Sequence, residues 1–154
     1  SIDASTPSTP VFQDELLSGP TRLGNPAGML VDGDYAYIAN YGSSWLEILD
    51  ISDSSNPTHV SSFIDQSGTT ELWGSWDVAK KWDYVYVSWY SDDGIEIIDV
   101  STPTAPVSVA RILRNNWVIE LDNPRGSYID GNYLYVASYN SDSLQIIDIT
   151  NPLL

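Results

Sequence analysis

The chain contains no cysteine, one histidine and only six basic residues among its 154 residues. Without cysteine it can form no disulfide, no thiolate metal site and no cysteine nucleophile. His59 is the single histidine, so a histidine-rich metal site is excluded and a serine–histidine–aspartate hydrolase gains no support. No apolar run reaches the length of a membrane-spanning segment.

The scarcity of basic residues leaves a strongly acidic chain. Against six lysines and arginines stand 21 aspartates and glutamates, which gives a formal net charge of −15. Such a charge opposes binding to nucleic acid or to an anionic membrane, and both are excluded as partners. The acidic residues are scattered along the chain, which is typical of a solvated acidic surface.

A pair of segments recurs three times along the chain. The copies are residues 33–39 with 46–52, 82–88 with 95–101, and 131–137 with 144–150, each 49 residues after the last. Each copy alternates in the manner of short strands and ends just before a link that contains proline. Repeats of this length made of short strands are typical of propeller blades.

Each repeat has room for four strands. In the second repeat the pattern predicts strands at 76–80, 84–89, 94–100 and 107–112. The predicted fold is therefore all-β, with three four-stranded antiparallel blades of about 49 residues each that form part of a larger ring. The predicted division is a separate fourth strand within 1–18, blade 1 at 26–64, blade 2 at 75–113, and blade 3 at 124–154 without a fourth strand of its own.

Each repeat contains a specific sequence motif. Strands of the type Tyr-x-Tyr-Val-Ala are followed by Leu/Ile-x-Ile-Ile-Asp-Ile/Val-Ser/Thr and then by a proline link ending in Pro-Val, as at 84–107, where Ser88 replaces the alanine. In these features the chain resembles the LVIVD-repeat family of β-propellers over nearly its whole length. The resemblance implies a blade fold, and it implies no catalytic residue and no particular activity.

The two ends of the chain suggest how a ring could close. Residues 2–11 match residues 98–107 almost position for position, so 11–17 is predicted to be a fourth strand. Three blades are too few for a ring, since propellers have about four to eight. Either two or three copies of the chain complete a six- or nine-bladed ring, or the remaining blades belong to a longer chain. Both alternatives stay open at this point.

One rim of the blades is the predicted binding surface. In a propeller the links from fourth to first strand and from second to third strand meet at the same rim, and here they carry aromatic residues beside acidic and amide side chains. Such a surface suits a sugar, with flat rings for stacking and polar groups for the hydroxyls. The alternative is that these rings fill the space between blades. The candidate ligand-binding residues are Trp45, Trp73, Trp76, Asp77, Tyr90, Asp92, Trp117, Arg125, Tyr139 and Asp142, with Tyr41 on the same rim.

Several aspartates are candidates for roles other than sugar binding. Asp77 stands where the other repeats have Gly28 and Gly126, and we expect it to point towards the central channel. Asp50, Asp99 and Asp148 recur in every repeat and are predicted to cap the turn into the proline link. No cofactor is predicted. Calcium is an alternative at 92–94 and 141–143, where oxygen ligands cluster without a twelve-residue calcium-loop pattern.

These observations favour a non-enzymatic propeller that binds or scaffolds, with a glycan or a protein as the ligand of the aromatic-acidic rim. Two alternatives remain: a propeller glycoside hydrolase that uses channel carboxylates including Asp77, and a structural unit whose important surface is the edge that it offers to neighbouring blades. The predicted location is extracellular or at the cell surface.

Overall fold

A computed structural model of the chain describes residues 2–3, 11–12, 14, 23–42, 46–64, 74–90, 93–115 and 119–153. These residues form strands joined by turns and bends. No helix among them is long and apolar enough to cross a membrane. Four of the predicted rim residues, Trp45, Trp73, Asp92 and Trp117, lie outside the described residues.

The strands form three stacked antiparallel sheets and one short pair. Sheet 1 has the order β3-β4-β5-β6, sheet 2 the order β7-β8-β9-β10 and sheet 3 the order β11-β12-β13, while β1 pairs with β2. The strand bounds are β1 Ile2–Asp3, β2 Val11–Phe12, β3 Pro26–Asp32, β4 Tyr35–Asn40, β5 Leu46–Asp50, β6 Thr58–Phe63, β7 Ser75–Lys81, β8 Tyr84–Trp89, β9 Gly94–Asp99, β10 Val107–Leu113, β11 Pro124–Asp130, β12 Tyr133–Ser138 and β13 Ser143–Asp148.

The three sheets keep one register along the repeat. Tyr37 faces Ile48 across β4 and β5, and the same pairing recurs 49 residues later as Tyr86 with Ile97 and again as Tyr135 with Ile146. The all-β prediction of antiparallel propeller blades is confirmed. Sheets 1 and 2 each have four strands, and the described part of sheet 3 has three.

The short pair β1–β2 has the same strand pairing as the end of a blade. Asp3 faces Val11 and Ile2 faces Phe12. In sheet 2 the equivalent residues pair in the same way, with Asp99 opposite Val107. This segment therefore has the geometry of a third strand passing into a fourth. Its pairing with sheet 3 stays a prediction.

Two apolar cores lie between the sheets. Between sheets 1 and 2, Tyr37, Leu46 and Ile48 pack against Val78, Val87 and other residues of sheet 2. Between sheets 2 and 3, the equivalent Tyr86, Ile95 and Ile97 pack against Leu134 and Val136. Period-two alternation places these residues on opposite faces of each strand, so sheet 2 buries both of its faces.

Buried glutamates join the third and fourth strands of sheets 1 and 2. Glu47 is fully buried, and its Oε2 lies 2.9 Å from His59 Nε2 and accepts a hydrogen bond from Ser62 Oγ at 2.6 Å. Glu96, the equivalent residue, lies 2.7 Å from Arg111 Nε. His59 thus has a partner within its own sheet. Both carboxylates have polar side-chain partners, as burial of a charge requires.

The recurring aspartates cap the turn after each third strand. The Oδ1 atoms of Asp50, Asp99 and Asp148 accept hydrogen bonds from the backbone N–H two residues later, at 2.9, 2.8 and 2.8 Å. This confirms their predicted role. Hydrogen bonds from Ser52, Ser101 and Thr150 lower the pKa of the three carboxyl groups below the ordinary aspartate value, because these bonds favour the charged form.

We expect acid to weaken the fold through these three turns. A carboxyl whose pKa is lowered by folding stabilises the native state above its unfolded pKa, about 3.9, and loses that contribution as the pH falls through the lower folded value. The urea midpoint should therefore fall as the pH drops below about 4. Circular dichroism at a series of pH values measures this.

The Asp99→Asn variant is the matched control for this experiment. Its amide oxygen still accepts the bond from Ser101 N–H but does not titrate, so at neutral pH the variant should unfold near the wild-type midpoint. Its midpoint should also depend less on pH. An unchanged pH dependence would show that the Asp99 turn contributes nothing to acid sensitivity.

Candidate functional site

The first strand of every sheet begins at one rim with a β-bulge. The register shifts between Pro26 and Met29, between Ser75 and Asp77, and between Pro124 and Gly126. The residue just before each of these strands has a positive φ, 53° at Asn25, 92° at Gly74 and 55° at Asn123. Asparagine and glycine tolerate this conformation. Bulges redirect side chains, and here the residues inside the shift include Trp76 and Arg125.

A tyrosine from the second-to-third strand hairpin stands beside each bulge. The backbone N–H groups of Tyr41, Tyr90 and Tyr139 donate to the carbonyl oxygens of residues 25, 74 and 123 at 3.0, 3.1 and 3.0 Å. The three side chains are exposed. The repeat thus fixes the backbone of one exposed ring per blade at this rim.

Four side chains from three sheets form a continuous stack, which we call the rim stack: Tyr41, Trp76, Arg125 and Tyr139. The rings of Tyr41 and Trp76 have centroids 5.1 Å apart at an interplanar angle of 54°. The guanidinium carbon of Arg125 lies 4.6 Å from the Trp76 ring and 4.1 Å from the Tyr139 ring. Both distances are within the range of a cation–π contact, so the arginine contacts two rings.

A network of polar side chains positions Arg125. Its Nε donates to Asn123 Oδ1 at 3.3 Å, and the buried Asn123 donates its backbone N–H to Asp93 Oδ1 at 2.8 Å. Asp93 also accepts a bond from Arg114 Nη1 at 3.1 Å. The hairpin of sheet 2 therefore sets the position from which the first strand of sheet 3 presents Arg125.

Arg125 differs from most other described basic side chains, which pair with a carboxylate. Lys80 pairs with Asp32, Arg111 with Glu96, and Arg114 with both Asp93 and Asp122. Within the part of the chain that the structure describes, no carboxylate lies within ion-pair distance of Arg125. Its guanidinium therefore keeps hydrogen-bond donors for a ligand.

Asp77 connects neighbouring sheets. Its Oδ2 accepts hydrogen bonds from Ser127 N at 2.7 Å and from Ser127 Oγ at 3.1 Å, so the half-buried carboxylate faces β11. The sequence predicts that this side chain points towards the channel, where it could bind a ligand. The partner on sheet 3 gives it a structural role that the sequence did not reveal.

Gly28 is needed where β3 and β7 approach each other. A Cβ at Gly28 would lie 2.6 Å from Asp77 Cα and 2.7 Å from the carbonyl oxygen of Trp76. A Cβ at the equivalent Gly126 would meet only Ala137 Cβ, at 3.8 Å. The same repeat position thus has no space for a side chain in sheet 1 but has space for a methyl group in sheet 3.

The rim stack contains three of the predicted site residues, Trp76, Arg125 and Tyr139. Tyr90 is exposed at the same rim, and Asp142 lies in the hairpin before β13 with φ 49°. Neither takes part in the ring contacts found among the described residues. The sequence did not reveal that Arg125 contacts two rings. The residue types at 25, 74 and 123 could have indicated the positive φ just before each first strand, since Asn and Gly suit that conformation.

The three repeated sheets agree with a match to a protein-family model. The family model described as the LVIVD repeat matches residues 24–65, 74–113 and 128–153. The chain belongs to the LVIVD-repeat family. No curated protein sequence matches this LVIVD-repeat chain.

One solved structure to which the LVIVD-repeat chain is similar is that of a candidate 6-phosphogluconolactonase from Bacteroides fragilis NCTC 9343, with 24% identity and a TM-score of 0.68. The match covers 82% of this chain and 35% of that chain, so the LVIVD-repeat chain spans about a third of that protein's length. The likeness shows the propeller fold.

Other candidate sites in the LVIVD-repeat chain are weaker. A pocket of about 380 Å³ is lined by Leu30, Val31, Asp32, Lys80 and Trp82, near the turns between first and second strands and away from the rim stack. Among the described residues no group of three acidic or histidine side chains could hold a metal ion. The calcium alternative at 92–94 falls partly outside the described residues.

We expect Gly28→Ala to destabilise the chain and Gly126→Ala to leave it nearly unchanged. The added methyl group at 28 meets backbone atoms of β7, which cannot rotate away, and overpacking of this kind costs about 1–3 kcal/mol. Differential scanning calorimetry should show a Tm that is lower by several degrees, roughly 2–4 °C per kcal/mol. Equal melting temperatures for the two variants would contradict the close approach of β3 and β7.

We expect Asp77→Ala to lower the free energy of unfolding by about 1–2 kcal/mol, because Ser127 loses a charged acceptor. Urea unfolding followed by tryptophan fluorescence measures the change. Asp77→Asn is the control, since its amide oxygen can still accept one bond, and its loss should be smaller. If Asp77→Ala were as stable as the wild type, the contact with Ser127 would have no structural value.

Proposed function

We propose that the chain is a non-enzymatic propeller module that binds a glycan at the rim stack. The observation that carries the proposal is the continuous arrangement of Tyr41, Trp76, Arg125 and Tyr139 across three sheets. A sugar ring needs a flat apolar surface and fixed donors for its hydroxyl oxygens. The rim stack supplies both within one surface.

The stacking of Arg125 supports a binding role because it restricts the guanidinium before any ligand arrives. Each cation–π contact at an exposed site contributes about 0.5–1 kcal/mol, and this side chain makes two of them. A planar fork of donors held in one orientation loses less conformational entropy on binding than a free arginine. Paired hydroxyl oxygens of a sugar are suitable acceptors for such a fork.

The overall charge favours a neutral glycan over an acidic one. The chain carries a net charge of −15, and this field repels a polyanion even though Arg125 is locally positive. A neutral sugar meets no such repulsion. It can still use the apolar ring faces and the arginine donors, because neither depends on ligand charge.

The hydrolase alternative has no comparable support. It requires channel carboxylates that are available to a substrate, and Asp77, its named candidate, is bonded to Ser127 N and Oγ. The absence of enzymatic activity is part of our proposal, as are the choice of a glycan over a protein ligand and an extracellular or cell-surface location.

Affinity electrophoresis in gels that contain neutral or uronate polysaccharides tests the proposal, with calorimetry on the matching oligosaccharides. We expect retardation by at least one neutral polysaccharide. Trp76→Ala and Arg125→Gln should each weaken that binding about tenfold, because losing one stacking or bidentate contact costs about 1.4 kcal/mol.

Trp82→Ala is the matched control for Trp76→Ala. Trp82 also has a cation on its ring, Lys81 at 4.4 Å, but it is more exposed than the half-buried Trp76 and lies in the turn between β7 and β8 rather than at the rim stack. This variant should bind as the wild type does. Equal losses from both tryptophan variants, or no binding to any polysaccharide tested, would contradict a glycan site at the rim stack.

A further inference from the structure

A second concave site lies at the opposite end of the first strands from the rim stack. A pocket of about 380 Å³ lies between the ends of β3 and β7, and its lining is Leu30, Val31, Asp32, Lys80 and Trp82. Pockets that hold small molecules have volumes of roughly 300–1,000 Å³ and combine apolar walls with a few polar groups. This pocket has that size and that composition, and the proposed glycan site does not use it.

Trp82 stands where the other two repeats have glycine. Gly33 and Gly131 have φ values of 58° and 55°, and Trp82 has the same left-handed conformation with φ 54°. A bulky side chain rarely adopts this conformation, because its Cβ crowds the backbone. The Trp82 side chain is 60% exposed, so burial offsets little of that strain. Strain of this kind is typical of functional positions, and Trp82 lies in the wall of a pocket.

Lys81 restricts the Trp82 ring. Its Nζ lies 4.4 Å from the centre of the ring and donates hydrogen bonds to the carbonyl oxygen of Gly131 at 2.7 Å and to Asn132 Oδ1 at 2.6 Å. The turn of sheet 3 therefore anchors the ammonium group that contacts the ring. Because the cation is anchored, the cation–π contact orders this wall of the pocket before a ligand arrives.

The ion pair in the pocket leaves its acidic side available to a ligand. Lys80 Nζ donates to Asp32 Oδ2 at 2.5 Å and to the carbonyl oxygen of Trp82 at 2.6 Å, and the Lys80 side chain is only 12% exposed. The Asp32 side chain is 58% exposed, and its Oδ1 accepts no hydrogen bond from the described residues. One carboxylate oxygen can therefore accept from a ligand, while the ammonium group is largely covered.

The charges around the pocket favour a cation. Asp34 and Asp83 lie in the turns beside it, and the whole chain carries a net charge of −15. Burial raises the pKa of Tyr37, and the nearby charges of Asp32 and Asp83 raise this pKa further. A negative potential therefore exists at this end of the sheets, and it attracts cations and repels anions.

We propose that this pocket binds a small organic cation that carries an ammonium group on an apolar or aromatic body. The ammonium group pairs with Asp32 Oδ1, and the body packs against Trp82, Leu30 and Val31. Asp32 then joins two ammonium groups, that of Lys80 and that of the ligand, as a carboxylate with two acceptor oxygens can. This ligand differs in charge and in place from the neutral glycan of the rim stack, so Trp82 stays a valid control for glycan binding.

Isothermal titration calorimetry with two small probes tests the ligand class. We expect phenylethylammonium to bind, and phenylpropionate, a probe of similar size with a carboxylate, to bind at least about tenfold more weakly. The affinity for the cation should fall as sodium chloride is raised, because salt screens its pairing with the exposed Asp32. Tighter binding of phenylpropionate, or no binding of either probe, would overturn the proposal.

Asp32→Asn and Asp34→Asn separate the pocket from the overall charge. Each variant removes one negative charge from the same end of sheet 1, but only Asp32 lines the pocket. The asparagine oxygen at 32 can still accept from Lys80, so the fold is kept. We expect Asp32→Asn to weaken phenylethylammonium binding about tenfold and Asp34→Asn to leave it close to the wild-type value. Equal losses would show that net charge alone attracts the probe, which would overturn the pocket as its site.

Trp82→Gly tests the wall of the pocket without endangering the fold. The variant has the residue type that the other two repeats carry at this position, and glycine adopts a φ of 54° without strain. Its melting temperature should therefore not fall, while its affinity for phenylethylammonium should drop about tenfold because the ring is lost. A folded Trp82→Gly variant that binds the probe as tightly as the wild type would overturn the proposal.

Discussion

Each sheet of this chain has apolar side chains on both faces, so burying them requires packing partners on both sides of the sheet. Sheet 2 meets this requirement, with Val78 and Val87 packed towards sheet 1 and Tyr86 and Ile97 towards sheet 3. Alternation along a strand sends successive side chains to opposite faces, so a strand with apolar residues on both faces cannot be satisfied by one partner. The stack, rather than any single blade, is the unit that is stable.

The position of the rim stack follows from this packing. Where first strands approach one another, Gly28 makes room for the β7 backbone and Asp77 reaches Ser127 on the next sheet. At the rim end of the same strands the bulges turn Trp76 and Arg125 outwards, within reach of tyrosines from the hairpins. Residues that are 49 positions apart in sequence become neighbours because each blade repeats the same path.

Much of the fold follows from local patterns, and the predictions drawn from those patterns hold. The aspartate turns at Asp50, Asp99 and Asp148 depend on residues two positions apart, and strand alternation depends on a period of two. The site was harder to predict. Trp76, Arg125 and Tyr139 were each identifiable as rim residues, but their contacts depend on distances between blades. Trp45, Trp73, Asp92 and Trp117 stay predictions.

The sequence alone determined the repeat, the antiparallel blades and the absence of cysteine chemistry, because each of these depends on residue type and spacing along one strand. Only the tertiary structure decided that Asp77 bonds to sheet 3, that Arg125 contacts two rings, and that Ile146 is exposed where Ile48 is buried. Those outcomes depend on which sheet lies opposite which face. Equivalent residues in a repeat have identical local signals, so their different surroundings are visible only once the sheets are stacked.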